Sequence, residues 1–556
     1  MLRGDTWAVE NAGPGGLMFS VGERGLEELA FNGQSLLASP RQGDLQPAKS
    51  LLRDIVDSFL SNASPTPVTR AAERDAVELN YSWGIIRCRY DKEGENKLRL
   101  RIEAVNNSND RVDDVTLSLA ELTFPGEPKG GTLEAGPFGY GFRGTLAPLA
   151  EQPQAVDPHF SLPVVRIDYG SAALNFCADD LETIVGVSHP RNPPERTRYA
   201  FEATLRDIKP HQTKRFEISF RFGAGGASVE ELSGDLIANY RKRYPFQLTW
   251  ADHRPIGAIL LASSGVDQRT NPRRWIMNSG KIDITTEVGK RDFRRALLGL
   301  AKESVKVLKD INAQGMITWD IEGQETSSAC FYGDPRLTAT LAPEMDFKGD
   351  GKTTTADAYF KTFRAAGLRV GVCIRPQQIK LDNGKPSQTR VDDEHAVAVL
   401  KEKIEYARRR WGCTLFYIDS TMTGIRPYKP EVFEALGKAF PDVLLIPEEE
   451  SLRYFAYSAP LNFYSERRVM TTPAGARSVY PRAFSVLMAP AGDRPEDRAS
   501  LLAAVQQGDI LLGNGWYSNE GLRRIKNLYQ EAGRQRVDSE SRAMSEPRQR
   551  ASDKYD

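Results

Sequence analysis

An alternation of strands and helices through the second part of the chain constrains the fold more than any other sequence feature. From about residue 250, apolar runs typical of buried strands alternate with segments of helical period, beginning with "PIGAILLAS", "KRDFRRALLGLAKESVKVLKDINA" and "GMITWDIEGQE". Eight such strands fall between residues 255 and 519. Eight strands that alternate with helices over this length are typical of a (β/α)8 barrel.

The later strands of this region continue the alternation with unequal clarity. The clear ones are "LRVGVCIRP", "TLFYIDST" and "VLLIPEEE", whereas "APLNFYS", "FSVLMAP" and "DILLGNGWYS" are less clear. Strand six, "APLNFYS", and the helix after it have the weakest patterns. A doubly wound open sheet is the alternative, because it is built from the same repeating unit. The sequence therefore predicts a (β/α)8 TIM barrel and leaves the open sheet as the second interpretation.

The first part of the chain has short alternating strands that are broken by turns. "AVELNYSWGIIRCRY" and "KLRLRIEAVNNS" alternate apolar and polar residues, as expected of strands with one buried face. A Gly-rich break and one helix, "GAGGASVEELSGDLIANYRKRYP", follow. We therefore predict a large β-sandwich at residues 1–225, a helical connector at 226–250, the barrel at 251–533 and a disordered tail at 534–556, where apolar residues are almost absent.

The charge and hydropathy of the chain exclude several classes of function. Lysine plus arginine and aspartate plus glutamate each total 74, so no net charge attracts the protein to nucleic acid or to an anionic membrane. No apolar run approaches the roughly 20 residues of a membrane span. The N-terminus lacks the apolar core of a signal peptide, which favours the cytoplasm unless a signal was removed, and then a periplasmic or secreted protein. The sequence leaves the oligomeric state open.

The cysteine, histidine and glycine patterns give no indication of a cofactor. The five cysteines are scattered without a CxxC pair, so reduced or buried thiols are expected rather than a disulfide framework. The five histidines form neither HxH nor HExxH, and no Walker loop or GxSxG segment occurs. We therefore expect no cofactor and no histidine-based metal site.

Charged residues follow four successive strands of the predicted barrel. Strand two ends in "TWDIEGQE", strand three in "CIRPQQ", strand four in "FYIDST" and strand five in "IPEEES". The active sites of barrel enzymes lie at the carboxyl ends of the strands. The sequence therefore predicts one cup of carboxylates and an arginine at this end of the barrel.

Side-chain alternation along the strands selects which of these residues point into the barrel mouth. Tyr417 and Asp419 share one face of strand four. Glu448 and Glu450 share one face of strand five, which leaves Glu449 opposite but still a candidate, because alternation fails past the last hydrogen-bonded residue. Asp419 and one of these glutamates are therefore expected to be neighbours in the barrel wall.

The same rule applied to strand two separates Asp320 and Glu322 from Trp319 and Ile321, and helices could cover the second pair. Arg375 follows strand three in phase with the interior face. The predicted mouth residues are Asp320, Glu322, Arg375, Asp419, Glu448 and Glu450.

Structural roles remain open for each of these residues. Asp419 could cap a helix, a member of the glutamate triplet could pair with Arg453, and Arg375 could pair with a neighbouring acid. Their clustering favours a chemical role, because carboxyls that share one cup raise each other's pKa, as a general acid requires.

Glycoside hydrolysis fits this cluster, since it needs one protonated and one ionised carboxyl beside the same bond. Adjacent strands lie ~5 Å apart, close to the ~5–5.5 Å carboxyl spacing of retaining enzymes and below the ~6.5–9.5 Å of inverting ones. We assign Asp419 as the nucleophile and Glu448 as the acid/base, with Glu450 and Glu449 as alternatives for the acid.

Further residues near the strand ends are candidates for sugar contact. Aromatic rings stack on sugar faces, and charged groups hold hydroxyls. The assigned substrate-binding residues are Asp320, Glu322, Arg375, Trp319, Tyr332, Tyr417, Glu449 and Trp516, and other aromatic candidates are Trp275, Phe331 and Tyr517.

A sandwich, a connecting segment and a barrel in this order resemble α-acting glycosidases with a galactose-mutarotase-like N-terminal domain, in particular the endo-α-N-acetylgalactosaminidases and their relatives. In that family a nucleophilic aspartate follows strand four in a Y-x-D context, and an acid/base glutamate follows strand five about thirty residues later. Here "FYIDST" supplies Asp419, and "LIPEEES" supplies Glu448 after 448 − 419 = 29 residues. The resemblance implies a retaining glycosidase that degrades an oligo- or polysaccharide.

The chain departs from that family at several points. The Trp-Gly that follows the family's glutamate is replaced by the glutamate triplet, and "WDIEGQE" has no counterpart, so the sugar is left open. The resemblance to α-galactosidase-like barrels is looser, because their acid follows strand six. In this chain Glu466, just after "LNFYS", would occupy that position.

Two other classes of function are compatible with the same residues. Asp320, Glu322 and Glu450 could supply oxygen ligands to Mg²⁺ or Ca²⁺ in a metal-dependent barrel enzyme. The acids could also bind polar ligands in a carbohydrate-binding protein without catalysis. Retaining hydrolysis of an α-linked glycan is the leading hypothesis.

Overall fold

The structure is a computed structural model, in which residues 16–22, 25–37, 46–49, 69–73, 76–124, 154–188, 198–263, 269–278, 281–324, 332–349, 351–383, 385–423, 426–462, 464–465, 468–469, 471–489, 497–513 and 523–534 are described. Contacts divide the chain into two units, Met1–Pro245 and Phe246–Asp556. Residues 535–556, which make up nearly all of the predicted disordered tail, lie outside the described residues. Each unit is treated by itself.

The first unit consists mainly of antiparallel strands. These are β1 (Leu17–Gly22), β2 (Gly25–Phe31), β3 (Gln34–Ser35), β4 (Gln46–Lys49), β5 (Thr69–Glu73), β6 (Ala76–Asn80), β7 (Gly84–Glu93), β8 (Lys97–Asn106), β9 (Val112–Thr123), β10 (Gln154–Val156), β11 (Val164–Asp168), β12 (Ala172–Ala178), β13 (Ile184–Ser188), β14 (Arg198–Ile208) and β15 (Thr213–Ala224). They form a seven-stranded sheet in the order β11-β12-β15-β8-β7-β6-β5, a five-stranded sheet in the order β10-β13-β14-β9-β4, and the three-stranded sheet β1-β2-β3.

The two large sheets pack face to face through apolar side chains. Every second residue of β8 is buried, as an antiparallel strand with one core face requires. Phe201 on β14 contacts Phe176 on β12 and Phe220 on β15, with ring centroids 5.3 and 5.5 Å apart. The predicted β-sandwich is therefore confirmed.

One helix closes the first unit. Helix α1 (Val229–Arg243) begins after Ser228, whose hydroxyl accepts the N–H of Glu231 while the Glu231 carboxylate accepts the N–H of Ser228. This capping box satisfies two N–H groups that the first turn leaves without helical partners. The helix contacts β12 and β15 of the sandwich.

The second unit begins with strand β16 and alternates strands with helices. Its strands are β16 (Ile256–Leu260), β17 (Gly315–Trp319), β18 (Arg369–Ile374), β19 (Gln377–Asp382), β20 (Lys385–Arg390), β21 (Leu415–Ile418), β22 (Met422–Thr423), β23 (Arg426–Pro427), β24 (Leu444–Pro447), β25 (Leu461–Asn462), β26 (Tyr464–Ser465), β27 (Arg468–Val469), β28 (Val486–Ala489) and β29 (Ile510–Gly513). Its helices are α2 (Glu287–Asp310), α3 (Thr338–Leu341), α4 (Pro343–Asp346), α5 (Thr355–Ala365), α6 (Asp393–Trp411), α7 (Pro430–Ala439), α8 (Ala474–Val479) and α9 (Arg498–Gln506), with 3₁₀ turns at Pro335–Leu337 and Leu452–Ala456 and a helical segment at 523–534.

Eight parallel strands form a nearly closed barrel. Their order is β24-β21-β18-β17-β16-β29-β28-β25, so the first strand, β16, pairs with the eighth, β29, through Ile256 and Leu512. The two ends of this order, β24 and β25, are not paired as strands. They are linked by one hydrogen bond, from the N–H of Ala459, just before β25, to the carbonyl of Leu445 on β24 at 3.0 Å. An open doubly wound sheet does not pair its first and last strands, so the barrel prediction is confirmed and the alternative is wrong.

The barrel strands bury both faces, with successive side chains in different layers. Ile317, Cys373, Tyr417 and Ile446 belong to the core inside the barrel. Their strand neighbours Met316, Val372, Phe416 and Leu445 belong to the layer between the barrel and its helices. Both layers are apolar, which explains why these strands read as continuous apolar runs in the sequence.

Helix boundaries in this unit follow capping chemistry. Helix α6 begins after Asp392, whose carboxylate accepts the N–H of His395, and ends at Gly412, which has a left-handed φ of +71°. Within the described residues, no helix is long and apolar enough to cross a membrane. The described cysteines, Cys88, Cys177, Cys373 and Cys413, are free and buried, and Cys330 lies outside the described residues.

Candidate active site

Three residues at the carboxyl ends of neighbouring strands lie in one row. Ile374, Ile418 and Pro447 are paired across β18, β21 and β24. The ladder continues one step further, because the N–H of Asp419 donates to the Ile374 carbonyl and the N–H of Glu448 to the Ile418 carbonyl, both at 2.9 Å. Arg375, Asp419 and Glu448, which follow the three paired residues, therefore lie side by side at the same height of the barrel.

Asp419 is held by an ion pair and a hydroxyl. Its Oδ2 accepts from Nε of Arg375 at 2.9 Å and from Nη2 at 2.6 Å. Its Oδ1 accepts from the hydroxyl of Ser420 at 2.9 Å. The two side chains of the ion pair are 14% and 12% exposed, so little water competes for these charge-assisted bonds. The hydrogen bonds of Asp419 are thus to Arg375 and Ser420 and not to the first turn of a helix. Arg375 pairs with a neighbouring acid, which is one of the roles that the sequence left open for it.

Glu448 carries a carboxyl that favours its protonated form. Its pKa is raised by burial first, next by the charge of Asp419, and further by a hydrogen bond that only a protonated Glu448 can donate to Asp419. The N–H of Ser420, 2.7 Å from Oε2, and the Tyr417 hydroxyl act in the opposite direction. The two carboxyls are thus close enough to interact, and burial and the charge of Asp419 favour the protonated form of Glu448.

Ser420 orients both carboxyls, and sequence reasoning missed it. Its hydroxyl binds Asp419 and its backbone N–H binds Glu448. Its φ of +60° lies in the left-handed region, which is uncommon for a residue with a side chain. Residues held in this region often belong to functional sites. The only sequence signal was its position directly after the strand-four aspartate.

Asp320 adds a third carboxyl beside this row, and this one is buried. It is 4% exposed, and its Oδ2 accepts from Nε2 of the buried Gln324 at 3.1 Å. Burial raises its pKa well above the usual range, and the charges of Glu322 and Asp419 add to this rise, whereas Gln324 and Arg375 oppose it. Burial therefore favours the neutral form of Asp320, whose neighbours include Arg375 and Asp419.

The prediction that helices cover Trp319 is wrong. Trp319 packs against the core inside the barrel, and its ring centroid is 5.0 Å from that of Tyr417. Ile321 does lie in the helix-facing layer, as predicted. The alternation fails because Asp320, with φ of +57°, takes a left-handed turn directly after the last residue of β17. Trp319 and Tyr417 therefore form the apolar floor beneath the carboxyls.

The two other aromatic candidates among the described residues are both buried. Trp275 is fully buried and donates through Nε1 to Glu344 at 2.6 Å, so the proposed role as a sugar platform is wrong for this residue. Tyr332 is 2% exposed. Phe331, Trp516 and Tyr517 lie outside the described residues, as does Glu466, the alternative acid after strand six.

The two other glutamates of the triplet are half-buried. The backbone N–H of Glu449 donates to the Thr421 hydroxyl at 2.9 Å. Arg453, a possible partner of the triplet, pairs with Glu431 and Glu434 on α7, at 2.6 and 3.1 Å. Glu449 and Glu450 therefore remain candidates for the acid.

Glu322 lies in a buried cluster with Asp334 and Lys403 and is not exposed at the barrel mouth. It is fully buried, and its two carboxylate oxygens have no side-chain hydrogen-bond partner among the described residues. Burial raises its pKa to about 8, the charge of Asp334 adds to this, and Lys403 opposes it. Asp334 is itself held by Arg336 through two hydrogen bonds, at 2.9 and 2.7 Å.

Glu322→Gln is expected to flatten the pH dependence of stability. The pKa of Glu322 rises from 4.5 to about 8 on folding. The folded state therefore keeps a proton that the unfolded state has lost, and the free energy of unfolding falls as the pH rises through this window. Glutamine does not titrate, so between pH 5.5 and 8.5 the variant loses less stability than the unaltered protein, by on the order of a few kcal/mol.

Denaturant unfolding at both pH values measures this difference. Glu303→Gln is the matched control, because Glu303 is 69% exposed on α2 and its replacement is expected to leave the pH dependence unchanged. Equal pH dependence in the Glu322→Gln variant and the unaltered protein would contradict the buried, protonated state of Glu322.

The described residues do not favour a metal centre at this mouth. Among them, no group of three or more histidine, cysteine, aspartate or glutamate side chains is placed to hold a metal ion. Asp320 is bound to Gln324, and Glu322 lies near Asp334 and Lys403, so the ligand set predicted with Glu450 does not converge on one point.

Comparisons with known proteins agree with the architecture. No family model and no curated protein matches the sequence. Among solved structures, the chain is similar to the α-N-acetylgalactosaminidase NagBb from Bifidobacterium bifidum in complex with GalNAc, with a TM-score of 0.52 and 11% identity over 94% of this chain and 93% of that one. This similarity confirms the expected fold, a β-sandwich followed by a barrel.

Two further structures have lower scores. The cycloalternan-degrading enzyme from Trueperella pyogenes has a TM-score of 0.40 and 9% identity over 90% of this chain and 86% of that one. A GH31 α-xylosidase from a soil metagenome, complexed with xylose, has a TM-score of 0.39 and 11% identity over 84% of each chain.

Proposed function

We propose that the protein is a retaining glycoside hydrolase that cleaves α-linked sugars of an oligo- or polysaccharide. The observation that carries the proposal is the facing pair of carboxyls on adjacent strands. Asp419 is ion-paired with Arg375, whereas Glu448 has a raised pKa and keeps the proton. Glycoside hydrolysis needs one ionised and one protonated carboxyl at the same bond.

In the first step, Asp419 acts as the nucleophile. One of its carboxylate oxygens attacks the anomeric carbon while the bond from that carbon to the glycosidic oxygen breaks, and Glu448 gives its proton to the departing oxygen. The product is a glycosyl ester on Asp419 and a free alcohol. Arg375 and Ser420 hold the carboxylate in place, which removes the need to order it during the reaction.

In the second step, the ionised Glu448 acts as a base. It takes a proton from water, whose oxygen attacks the anomeric carbon and displaces Asp419, so both carboxyls return to their initial states. The pKa of Glu448 suits this exchange, because the negative charge of Asp419 that raises it disappears when the ester forms.

The placement of the two groups on adjacent strands supports retention of configuration. Neighbouring strands are separated by ~5 Å, which matches the ~5–5.5 Å between carboxyls in retaining enzymes. An inverting enzyme needs room for a water molecule between one carboxyl and the sugar.

The floor and rim of the cup supply groups suited to a sugar. Trp319 and Tyr417 offer apolar surface below the carboxyls, and Asp320, held by Gln324, offers a hydrogen-bonding group to a hydroxyl. The fold shared with an α-N-acetylgalactosaminidase supports an α-linked sugar as the substrate class.

The stereochemistry of the first product tests the proposal. A panel of aryl α-glycosides of hexoses, pentoses and N-acetylhexosamines is expected to contain a substrate, and ¹H NMR at early times is expected to show the α-anomer of the released sugar before mutarotation. The matching aryl β-glycosides serve as controls and are expected to remain intact. Early release of the β-anomer would contradict retention, and sugar binding without turnover across the panel would indicate a binding protein.

A further inference from the structure

Lys403 is a fully buried lysine whose donors are all used on backbone carbonyls. It lies on α6, and its Nζ donates to the carbonyls of Gln377 at 2.7 Å, Arg375 at 2.8 Å and Gly333 at 3.2 Å. An ammonium group has three N–H donors, so each has one acceptor. Sequence reasoning did not single out this residue.

The three carbonyls belong to segments that meet at the end of barrel strand three. Gly333 lies in the segment after β17, Arg375 follows β18, and Gln377 begins the β19–β20 hairpin. The N–H of Arg375 also donates to the Gly333 carbonyl, at 3.1 Å. The backbone N–H of Arg375 is therefore fixed by the Gly333 carbonyl, and the backbone carbonyl of Arg375 is fixed by Lys403.

Gly333 allows this close approach. Its φ is +57°, and a Cβ atom at this position would lie 2.9 Å from Cγ of Arg375. A larger residue would strain the backbone and push Arg375 away. The close contact between the backbones of residues 333 and 375 therefore depends on glycine at position 333, and Lys403 holds the carbonyls of both residues.

The backbone position of Arg375 sets the position of the proposed nucleophile. Its guanidinium donates twice to Oδ2 of Asp419, and its Nη1 donates to Oε1 of Gln388 on β20 at 3.3 Å. A planar guanidinium has a fixed donor geometry, so a shift of its backbone moves or breaks these bonds.

Charged groups face Lys403 from the other segments packed against it. Oδ2 of Asp334 lies 3.7 Å from Nζ, Arg336 is bound to Asp334, and Glu322 lies near both. Burial lowers the pKa of Lys403 to about 8, Asp334 and Glu322 oppose this, and Arg336 adds to it. A buried ammonium is expensive compared with an apolar side chain, so the fold retains it at a cost in stability.

We propose that Lys403 is a positioning residue for catalysis, which acts through Arg375 to hold Asp419 in the orientation for attack. The inference rests on the proposed function. Lys403 does not touch the carboxyl pair, so its effect on the rate is expected to pass through the arginine.

A double-mutant cycle tests this route. With the aryl glycoside that the panel selects, Lys403→Met is expected to lower kcat by about 10²-fold, the scale of a small misplacement of a reacting group, with KM within about threefold. Arg375→Ala is expected to lower kcat by about 10³-fold. If Lys403 acts through Arg375, the double variant stays within about threefold of Arg375→Ala, whereas independent effects would multiply to about 10⁵-fold and overturn the inference.

The rate has to be expressed per folded molecule, because removal of a buried lysine also affects stability. A mechanism-based fluoro-sugar that esterifies Asp419 gives this value, since the final extent of labelling by mass spectrometry counts active molecules and the time course gives their rate. Slower labelling of the active fraction is expected for Lys403→Met. If Lys403→Met had fewer active molecules but the same labelling rate per active molecule, Lys403 would only stabilise the fold, and the inference would be wrong.

Two more variants complete the test. Lys401→Met is the matched control, because Lys401 lies on the same helix, is 51% exposed and pairs only weakly with Glu405 at 3.9 Å; no change is expected. Lys403→Gln keeps two N–H donors and is expected to lose less activity than Lys403→Met. If Asp419→Asn were fully active, the proposed function would fail; if only Lys403→Met were unaffected, this inference alone would fail.

Discussion

Asp419→Asn is expected to lower kcat by more than about 10⁴-fold, the scale on which loss of a catalytic nucleophile acts. The amide cannot form the glycosyl ester, and it also loses the ion pair with Arg375, in which Oδ2 receives two hydrogen bonds. Initial rates on the selected aryl α-glycoside measure the loss. Circular dichroism and thermal unfolding are expected to show a folded protein, because the change preserves the shape of the side chain.

Sodium azide separates loss of the nucleophile from general damage. The rescue uses Asp419→Ala, because alanine leaves room for a small anion where the carboxylate was: azide attacks the anomeric carbon directly, displaces the activated aryl group and gives a β-glycosyl azide, with part of the rate restored. Asp442→Asn is the control, because Asp442 is 60% exposed and pairs with Arg408 on the outside of the barrel. Activity of Asp419→Asn close to that of this control would remove Asp419 from the mechanism.

The row of groups at the mouth was accessible from the sequence because strand register is simple in a parallel barrel. Arg375, Asp419 and Glu448 each follow a short apolar run directly, and the paired residues before them are in register across three strands. Apolar runs that end in charged residues at one edge therefore predicted both the fold and the neighbours. Their chemical roles stay predictions.

Departures from ideal strand geometry could not be predicted in the same way. Asp320 and Ser420 both adopt left-handed backbone conformations directly after or near a strand end, and this reverses the side-chain alternation. Such conformations depend on contacts from other segments, such as Gln324 with Asp320 and Glu448 with Ser420. Counting back across this turn from Asp320 and Glu322 therefore put Trp319 in the wrong layer, although Trp319 is in phase with Ile317 inside the barrel.

The buried charges behind the mouth were also outside the reach of sequence patterns. Lys401 and Lys403 lie two residues apart on α6, and the first side chain is 51% exposed whereas the second is fully buried. In the sequence, both lysines look like residues on the solvent-exposed face of a helix. Only the three carbonyls that surround Lys403 in the folded chain distinguish them, and these come from segments distant in the sequence.

Glu448→Gln is expected to slow hydrolysis according to the leaving group. With a sugar as leaving group, kcat/KM is expected to fall by about 10²- to 10⁴-fold, the contribution of a general acid. With an activated aryl group the first step needs little proton donation, so the loss is smaller and the glycosyl ester on Asp419 accumulates. Rates on paired substrates of different leaving-group pKa, with mass spectrometry of the ester, measure both effects.

The pH profile gives an independent check of the acid. The pKa of Glu448 is raised by burial and by Asp419, so the proton needed for cleavage is retained above the usual range of a glutamate and is lost as the pH rises through that raised value. The alkaline limb of kcat/KM that reports this loss is therefore expected to disappear in Glu448→Gln.

Comparison with the neighbouring glutamates decides which member of the triplet is the acid. Glu449→Gln and Glu450→Gln are expected to keep the alkaline limb, because the hydrogen bonds around Asp419 involve Glu448. Glu405→Gln, on the outer helix α6 and 46% exposed, is the control for loss of a carboxylate. Loss of the limb in Glu450→Gln, with Glu448→Gln unaffected, would transfer the acid role to Glu450, while accumulation of the ester would still identify Asp419 as the nucleophile.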